Sequence, residues 1–255
     1  MKLVSYNILD GGVGRADPLA EVIQAQAPDV VVLIEADDRA VVDRIAGRLN
    51  MDVALAAGHR HQAAILSRWR ILESINHALL LGERMSDCFL EATIADPDGT
   101  EWTVSAAHLH PRAGDADETR RETEIDAILR TFLDHRDQNK PHLIAGDFNA
   151  NSPIQEIDPA RCKPATRKEM EANGGSVPRR AVQKLLAAGY LDSLHAANGN
   201  AARRMGSFST QYPGQRVDYI FSFGLNPGRF SNAAVEQDRL AKYASDHFPV
   251  TLQID

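Results

Sequence analysis

Short apolar runs separated by hairpin-length connections fill the middle of this chain. In order they are Val53–Ala56, Ala63–Ser67, Ile71–Leu80, Phe89–Ala95 and Trp102–Ala107. The turn signal Asp96-Pro97-Asp98-Gly99 separates the last two runs, which is typical of a hairpin. Such connections argue against a purely parallel, doubly wound sheet. We therefore predict two mostly antiparallel β-sheets packed together, with helices outside.

Strands and helices alternate near the N-terminus. Leu3–Ile8 predicts a strand, and Pro18–Ala27 predicts a helix because its apolar residues have helical spacing. Asp29–Ile34 is almost entirely apolar and rich in β-branched residues, which indicates a strand covered on both faces. Asp37 begins a further predicted helix, which extends to about Arg48 and has acidic residues where the helix dipole favours them.

Helices, strands and one long polar segment make up the rest of the chain. Thr119–Leu133 has an apolar stripe on one side and predicts a helix. The other predicted elements are the strand His142–Ala145, the polar segment Asn151–Pro178, the helix Arg179–Ala188 and the strands Arg216–Phe223 and Phe248–Gln253. An unstructured segment of that length is usually functional or mobile. No repeat or linker marks a boundary, so we predict a single domain over residues 1–255.

The composition narrows the classes of protein and of partner. The chain is 44% hydrophobic and 25% charged, which is typical of a globular protein, and no apolar window is long enough to span a membrane. The N-terminus lacks the features of a signal peptide, so we expect a cytoplasmic protein, and we expect a monomer. The net charge of -7 does not favour nucleic acid as the first candidate partner.

Acidic, amide and imidazole side chains stand where predicted strands begin or end. In chain order they are Asn7, Glu35, His108, Asp147, Asn149, Asp218, Asp246 and His247. Burying such groups is costly unless they are hydrogen-bonded or used in chemistry. Structural explanations stay open: Asn7 could close a turn, Glu35 could support the next helix, His108 could be a semi-buried histidine and Asp218 could pair with Arg216.

These residue types together indicate a particular chemistry. Carboxylate and amide oxygens without cysteine are a ligand set for Mg²⁺, with Mn²⁺ or Ca²⁺ as alternatives, and they differ from the ligands of structural zinc. Histidines add proton transfer or phosphate contact near neutral pH. The combination predicts metal-dependent hydrolysis of a phosphate ester.

Seven short motifs resemble, in order, those of the endonuclease/exonuclease/phosphatase superfamily. They are Ser5-Tyr6-Asn7, Leu33-Ile34-Glu35, Ala64-Ile65-Leu66-Ser67-Arg68, Ala107-His108-Leu109, Gly146-Asp147-Phe148-Asn149, Arg216-Val217-Asp218-Tyr219-Ile220 and Ser245-Asp246-His247-Phe248-Pro249-Val250. The resemblance runs from residue 5 to residue 250 and implies a four-layer α/β sandwich of two mixed sheets. The catalytic site would lie at one end of the paired sheets.

The resemblance also implies residue roles. Glu35 would bind the divalent metal with Asn7 beside it, and Asp246 would lie near the metal. Asp147 would orient or deprotonate the attacking water, and Asn149 would help to hold the water or the phosphate.

The two histidines would contact the phosphate. By the same resemblance Asp218 would orient His247, and His108 matches the phosphate-contacting histidine of the phosphatase and sphingomyelinase branches. The apurinic endonuclease branch usually has a tyrosine at that position. Leu9 stands where repair endonucleases tend to have an acid, and His61-Gln62-Ala63 departs from the usual Gly-Asn.

Three functions are compatible with these features. The first is a phosphoesterase that acts on a phosphodiester or on a small or lipid-like phosphate by in-line attack of water. His108 and the net negative charge of the chain favour this function. The second is a DNA or RNA nuclease, favoured by basic residues of the polar segment: Arg161, Lys163, Arg167, Lys168, Arg179 and Arg180. A solvated loop is the alternative explanation of these residues. The third, a catalytically silent binding module, would not need the full set of acids and histidines.

Overall fold

Two six-stranded sheets form the centre of the protein. The computed structural model describes residues 1–255. In chain order the strands are β1 (Lys2–Asn7), β2 (Val30–Ile34), β3 (Asp52–Ala57), β4 (Gln62–Ser67), β5 (Arg70–Asn76), β6 (Phe89–Ala95), β7 (Glu101–His108), β8 (His142–Asp147), β9 (Leu191–Asp192), β10 (Asp218–Phe223), β11 (Phe230–Val235) and β12 (Val250–Ile254).

Each sheet has one parallel pair of strands and is otherwise antiparallel. The first sheet has the order β11-β12-β1-β2-β4-β3, with β1 parallel to β2. The second has the order β5-β6-β7-β8-β10-β9, with β7 parallel to β8. The predicted mixed, mostly antiparallel sheets are therefore confirmed.

Helices cover the outer face of each sheet. They are α1 (Ala16–Ala25), α2 (Arg39–Leu49), α3 (His77–Leu81), α4 (Asp115–Thr131), α5 (Leu133–Asp137), α6 (Pro164–Ala172), α7 (Arg180–Ala187), α8 (Ser193–Asn198) and α9 (Ala241–Ala244). Buried residues of α1 and α2 pack with the first sheet, and those of α4 and α7 pack with the second. A third apolar cluster joins the inner faces of the two sheets. The α/β sandwich with four layers is confirmed.

The position of strand β2 between two apolar layers explains why its sequence is apolar throughout. Successive side chains of a strand point to opposite faces. Val30, Val32 and Ile34 belong to the cluster between the sheets, whereas Val31 and Leu33 pack under the helices. Both faces of the strand are buried, so the sequence has no alternation of apolar and polar residues.

The predicted strand Ile71–Leu80 is wrong in its second half. Strand β5 ends at Asn76, and the short helix α3 follows with Leu79 and Leu80 exposed. The polar residues Asn76 and His77 divide the stretch, and Asn76 is the N-cap residue of α3. A short apolar run such as the one after them does not by itself distinguish strand from helix.

The polar segment Asn151–Pro178 is not unstructured, because it contains helix α6. Pro164 is the first residue of this helix, a position that suits proline because its missing N–H would have no partner there. Only Thr166 and Met170 of the helix are buried, so no apolar stripe indicates it.

Other boundaries differ by a few residues. The strand predicted from Arg216 begins at Asp218, and the strand predicted from Phe248 begins at Val250. Strand β11 was not predicted, because Ser231 and Asn232 interrupt its apolar residues. None of the helices is both long enough and apolar enough to cross a bilayer.

Candidate active site

Strand ends from both sheets meet at one edge of the sandwich. Strands β1, β2, β7 and β8 end there, whereas β10 and β12 begin there because they run antiparallel to β8 and β1. In the second sheet Asp147 is in register with His108 on one side and with Asp218 on the other. We call the floor the set that meets here: Asn7, Glu35, His108, Asp147, Asn149, Asp218, Asp246 and His247.

Asn7 links the two sheets across the floor. Its side-chain amide donates to Glu35 Oε1 at 3.0 Å and to Asp147 Oδ2 at 3.1 Å. Its Oδ1 also accepts from the Leu9 N–H at 3.0 Å, so the turn-closing role is present as well. Asn7 therefore holds the two carboxylates in a fixed relation.

Glu35 contacts the loop after β1 and does not support helix α2. Its Oε2 accepts from the Asp10 N–H at 2.8 Å, and Asp38 is the residue that caps α2. Burial opposes ionisation of Glu35, but the hydrogen bonds from Asp10 and Asn7 prevail and lower its pKa. Glu35 is thus held as a carboxylate.

Glu35 and Asn149 share an unusual backbone conformation. Their φ angles are 58° and 48°, in the left-handed region that few residues other than glycine adopt. Such residues cluster at functional sites, where surrounding contacts hold them. The Asn149 N–H donates to Asp147 Oδ1 at 2.9 Å, and its side chain donates to the Leu109 carbonyl at 3.0 Å.

Asp147 lies at the centre of the floor and is only 2% exposed. Its Oδ2 is 3.7 Å from Nε2 of His108 and 3.7 Å from Nε2 of His247. Burial raises the pKa of Asp147, and the nearby carboxylates of Asp218 and Glu35 raise it further. A carboxylate with a raised pKa is a better proton acceptor than an ordinary aspartate.

His247 pairs with Asp218. Its Nδ1 lies 2.9 Å from Asp218 Oδ2, which leaves Nε2 directed towards Asp147. Burial acts to lower the pKa of His247, but the surrounding carboxylates, Asp218 first, prevail and raise it. The alternative pairing of Asp218 with Arg216 is wrong, since Arg216 forms a buried pair with Asp192 at 2.6 and 2.9 Å.

Asp87 stands behind His108 and is not among the site residues predicted from the sequence. The carboxylate is fully buried, accepts from the guanidinium of Arg60 at 2.8 Å and the His61 N–H at 2.7 Å, and lies 3.7 Å from His108 Nδ1. That nitrogen is buried without a hydrogen-bond partner. Asp87 stands two residues before strand β6, so the strand-end criterion used for the other acids could have found it. Burial lowers the pKa of His108, which favours a neutral imidazole.

His61 adds a cation at the rim of the floor. Its Nδ1 is 2.7 Å from Asp37 Oδ2, and its ring centroid is 5.5 Å from that of His108. The bond to Asp37 raises the pKa of His61 to about 9. His61, which belongs to the His61-Gln62-Ala63 segment that differs from the usual Gly-Asn, thus places a positive charge beside His108.

Lys163 reaches the floor from the polar segment, which residue patterns did not indicate. Its ammonium lies 3.1 Å from Asp246 Oδ2 and 4.0 Å from the centroid of the Phe208 ring. Phe208 in turn packs on His247, with ring centroids 4.6 Å apart. The solvated-loop interpretation is therefore wrong for Lys163.

Two further basic residues of that segment support the fold. Arg179 donates to the backbone carbonyls of Ser152 and Gln155. Arg180 pairs with Glu122 at 2.8 Å and with Asp115 at 2.7 Å. These two guanidinium groups are engaged within the protein.

The floor has donors that suit a hard divalent cation. Ligand atoms of Asp147, Asp218 and His247 lie within 4.8 Å of one another, and Asp246 Oδ1 is buried without a partner. Carboxylate oxygens are the ligands that Mg²⁺ and Mn²⁺ prefer. A second group, of Asp87, Cys88 and His108, fits a metal less well, because burial raises the pKa of the Cys88 thiol well above its usual value.

Solved structures with the same fold include a phosphatase, an exonuclease and an endonuclease. The 3′ phosphatase NExo from Neisseria, bound to product DNA hairpin, superposes with a TM-score of 0.75 at 19% identity and covers 100% of this chain and 99% of that chain. The 3′-5′ exonuclease NExo from Neisseria meningitidis gives 0.74 at 18% identity, with 100% of each chain covered. An AP endonuclease from Archaeoglobus fulgidus gives 0.69 at 19% identity, with 100% and 99% covered. Likeness at these identities establishes the fold alone.

No curated protein sequence matches the chain. A family model does match, under the description Endonuclease/Exonuclease/phosphatase family, over residues 4–247. That range includes all eight residues of the floor and every strand except β12 and the first two residues of β1. The chain therefore belongs to the Endonuclease/Exonuclease/phosphatase family.

Proposed function

We propose that this protein is a divalent-metal-dependent phosphoesterase that hydrolyses its substrate by in-line attack of water. The observation that carries the proposal is the position of Asp147, a buried carboxylate with a raised pKa between two imidazoles. Its substrate class is a phosphodiester or a small phosphate ester, which the two histidines can contact together.

Each residue of the floor has its own role in the proposed reaction. Asp147 takes a proton from water as the new P–O bond forms and the bond to the leaving oxygen breaks. His247, held protonated by its carboxylate neighbours, donates from Nε2 to a phosphate oxygen. His108 stays neutral and contacts the phosphate from the other side. Removing one such donor typically costs about 10²–10³ in rate.

Glu35, Asn7 and Asp246 would hold the metal, and Mg²⁺ is the ion we propose. The group of Asp147, Asp218 and His247 is the less suitable set, because a protonated His247 that pairs with Asp218 has no free lone pair for a cation. When bound, such an ion offsets negative charge on the phosphate oxygens. Each Glu35 oxygen accepts one hydrogen bond and keeps lone-pair capacity for a cation. Addition of EDTA should abolish turnover, and Mg²⁺ or Mn²⁺ should restore it.

Asp147→Asn tests the mechanism directly. The variant keeps the volume of the side chain but cannot accept the proton of water, so kcat should fall by at least about 10³-fold. Asp134→Asn, on an exposed residue of α5, is the matched control and should keep wild-type kcat. Full activity of Asp147→Asn on every phosphomonoester, phosphodiester and nucleic-acid substrate tested would contradict the mechanism.

A DNA or RNA nuclease is a second candidate. Arg161 and Arg204 line a groove of about 470 Å³, and Arg161 lies two residues before Lys163. Arg204 is paired with Glu156 at 2.7 Å, so Arg161 is the more available of the two. Turnover of DNA ends that declines steeply with salt would favour this candidate, because phosphate contacts release counterions.

A further inference from the structure

Four carboxylates of the floor must coexist with an anionic substrate. They belong to Glu35, Asp147, Asp218 and Asp246. Of all the lysines and arginines in the chain, only Lys163 forms an ion pair with one of them. The lysine that pairs with a carboxylate of the floor therefore comes from the segment between β8 and α7.

Packing holds the ammonium of Lys163 in place. The aromatic face of Phe208 lies 4.0 Å beneath it, and such a cation–π contact favours a fixed position. Lys163 precedes helix α6 as its N-cap residue, but its side chain makes no capping hydrogen bond. The side chain is 35% exposed, so it is accessible to a ligand and is not required by the helix.

Lys163 and His247 face the same carboxylate. The ammonium is 3.1 Å from Asp246 Oδ2, and His247 Nε2 is 3.8 Å from Asp246 Oδ1. Two cationic donors that share one carboxylate are close enough to share one phosphate, whose oxygens have a similar spacing. An anion bound at His247 would thus lie within reach of Lys163.

We propose that Lys163 is a substrate-binding residue whose ammonium donates to the phosphate held at His247. The inference rests on the proposed function, because it takes a phosphate ester as the ligand. It assigns the segment between β8 and α7 to the active site. A charged donor to phosphate is stronger than a neutral one, so loss of Lys163 should weaken phosphate binding about tenfold or more.

Binding of inorganic phosphate to the Mg²⁺-loaded protein, measured by calorimetry, tests the proposal without turnover. Lys163→Met keeps the aliphatic length and should raise the dissociation constant at least about tenfold, whereas Lys163→Arg should stay within about threefold of wild type. Lys168→Met is the matched control, since Lys168 is an exposed residue of helix α6, which follows Lys163, and should bind as wild type does. Equal affinity of Lys163→Met and wild type, or no phosphate binding by wild type, would overturn the proposal.

A double-mutant cycle separates direct contact from charge neutralisation. If Lys163 only offsets the charge of Asp246, then Lys163→Met should have no effect in an Asp246→Asn background. If Lys163 contacts phosphate itself, the loss should persist in that background. Failure of this inference is distinct from failure of the proposed function. If wild type is active and Lys163→Met binds phosphate as wild type does, only the role of Lys163 is contradicted. If wild type binds phosphate through Lys163 but hydrolyses no ester, only the proposed function is contradicted.

Discussion

Arg216 and Asp218 are two residues apart, and each takes its partner from elsewhere in the chain. The guanidinium of Arg216 is buried against Asp192, while the carboxylate of Asp218 meets the imidazole of His247. Sequence proximity suggested a pair that the fold does not make. Because Asp192 satisfies the arginine, Asp218 is free to orient a histidine.

Loss of the Asp218 carboxylate should impair His247 in two ways. Asp218→Asn should lower kcat by about 10²–10⁴-fold, because the imidazole loses its orientation and the partner of its charged form. The raised pKa of His247 keeps the ring protonated into alkaline pH. In the variant this pKa falls, so the alkaline decline of kcat should begin at a lower pH. A pH–rate profile of both proteins measures the shift, and identical alkaline limbs would contradict the assignment.

The buried pair of Arg216 and Asp192 should be costly to break. Asp192→Asn leaves a fully buried guanidinium without its counter-charge, and such losses typically cost about 3–5 kcal/mol. Urea unfolding measures the change in the free energy of unfolding. Glu156→Gln, which breaks an exposed pair with Arg204, is the control and should leave the unfolding curve unchanged. A similar midpoint for the two variants would show that the buried pair is not needed.

At the scale of elements, apolar patterns predicted the strands and helices that bury an apolar face. They did not predict elements that depend mainly on helix caps and tertiary contacts. Strands β2 and β6 were found because their faces are buried. Helix α6 was not, since it buries only two side chains. The strand-end rule located the floor, but Lys163 lies 83 residues from Asp246 and no local pattern relates them. The position of that lysine depends on two tertiary contacts, the ion pair with Asp246 and the packing on Phe208.

Strand β8 begins with a histidine that should make stability depend on pH. His142 stacks on Phe132 at 4.4 Å, and its Nε2 lies 2.7 Å from the Tyr190 hydroxyl. Burial lowers its pKa to about 4, below the value of about 6.5 of an unfolded histidine. The unfolded chain therefore binds the extra proton first, so this contribution is complete above pH 6.5 and is lost as the pH falls towards 4. It amounts to about 3 kcal/mol.

His142→Gln should remove that dependence while keeping a polar group near Tyr190. The free energy of unfolding of the variant, measured by urea titration between pH 7 and pH 4.5, should fall less steeply than that of wild type. Parallel pH dependences in the two proteins would mean that His142 does not titrate on unfolding.

At the scale of the whole molecule, folding gathers acids that are far apart in the chain. Glu35 comes from the first sheet and Asp147 from the second, and the unfolded chain has no such site. A metal that binds only the folded state must therefore stabilise it, by about 2.7 kcal/mol at a concentration a hundred times the dissociation constant. Thermal unfolding with and without Mg²⁺ should show a rise in Tm for wild type and a much smaller one for Glu35→Gln. Equal rises would place the metal away from Glu35.

The hydrogen bond from Asn7 to Asp147 crosses from one sheet to the other, so the spacing of the sheets also sets a distance within the candidate site. The layer between the sheets includes small side chains, among them Ala63, Ala106 and Ala145, each fully buried. If Glu35 and Asn7 hold a metal and Asp147 activates water, as we propose, then a larger residue in this layer would move the first two side chains away from the third. Substitutions in the core that never touch substrate would then lower the rate of the proposed reaction.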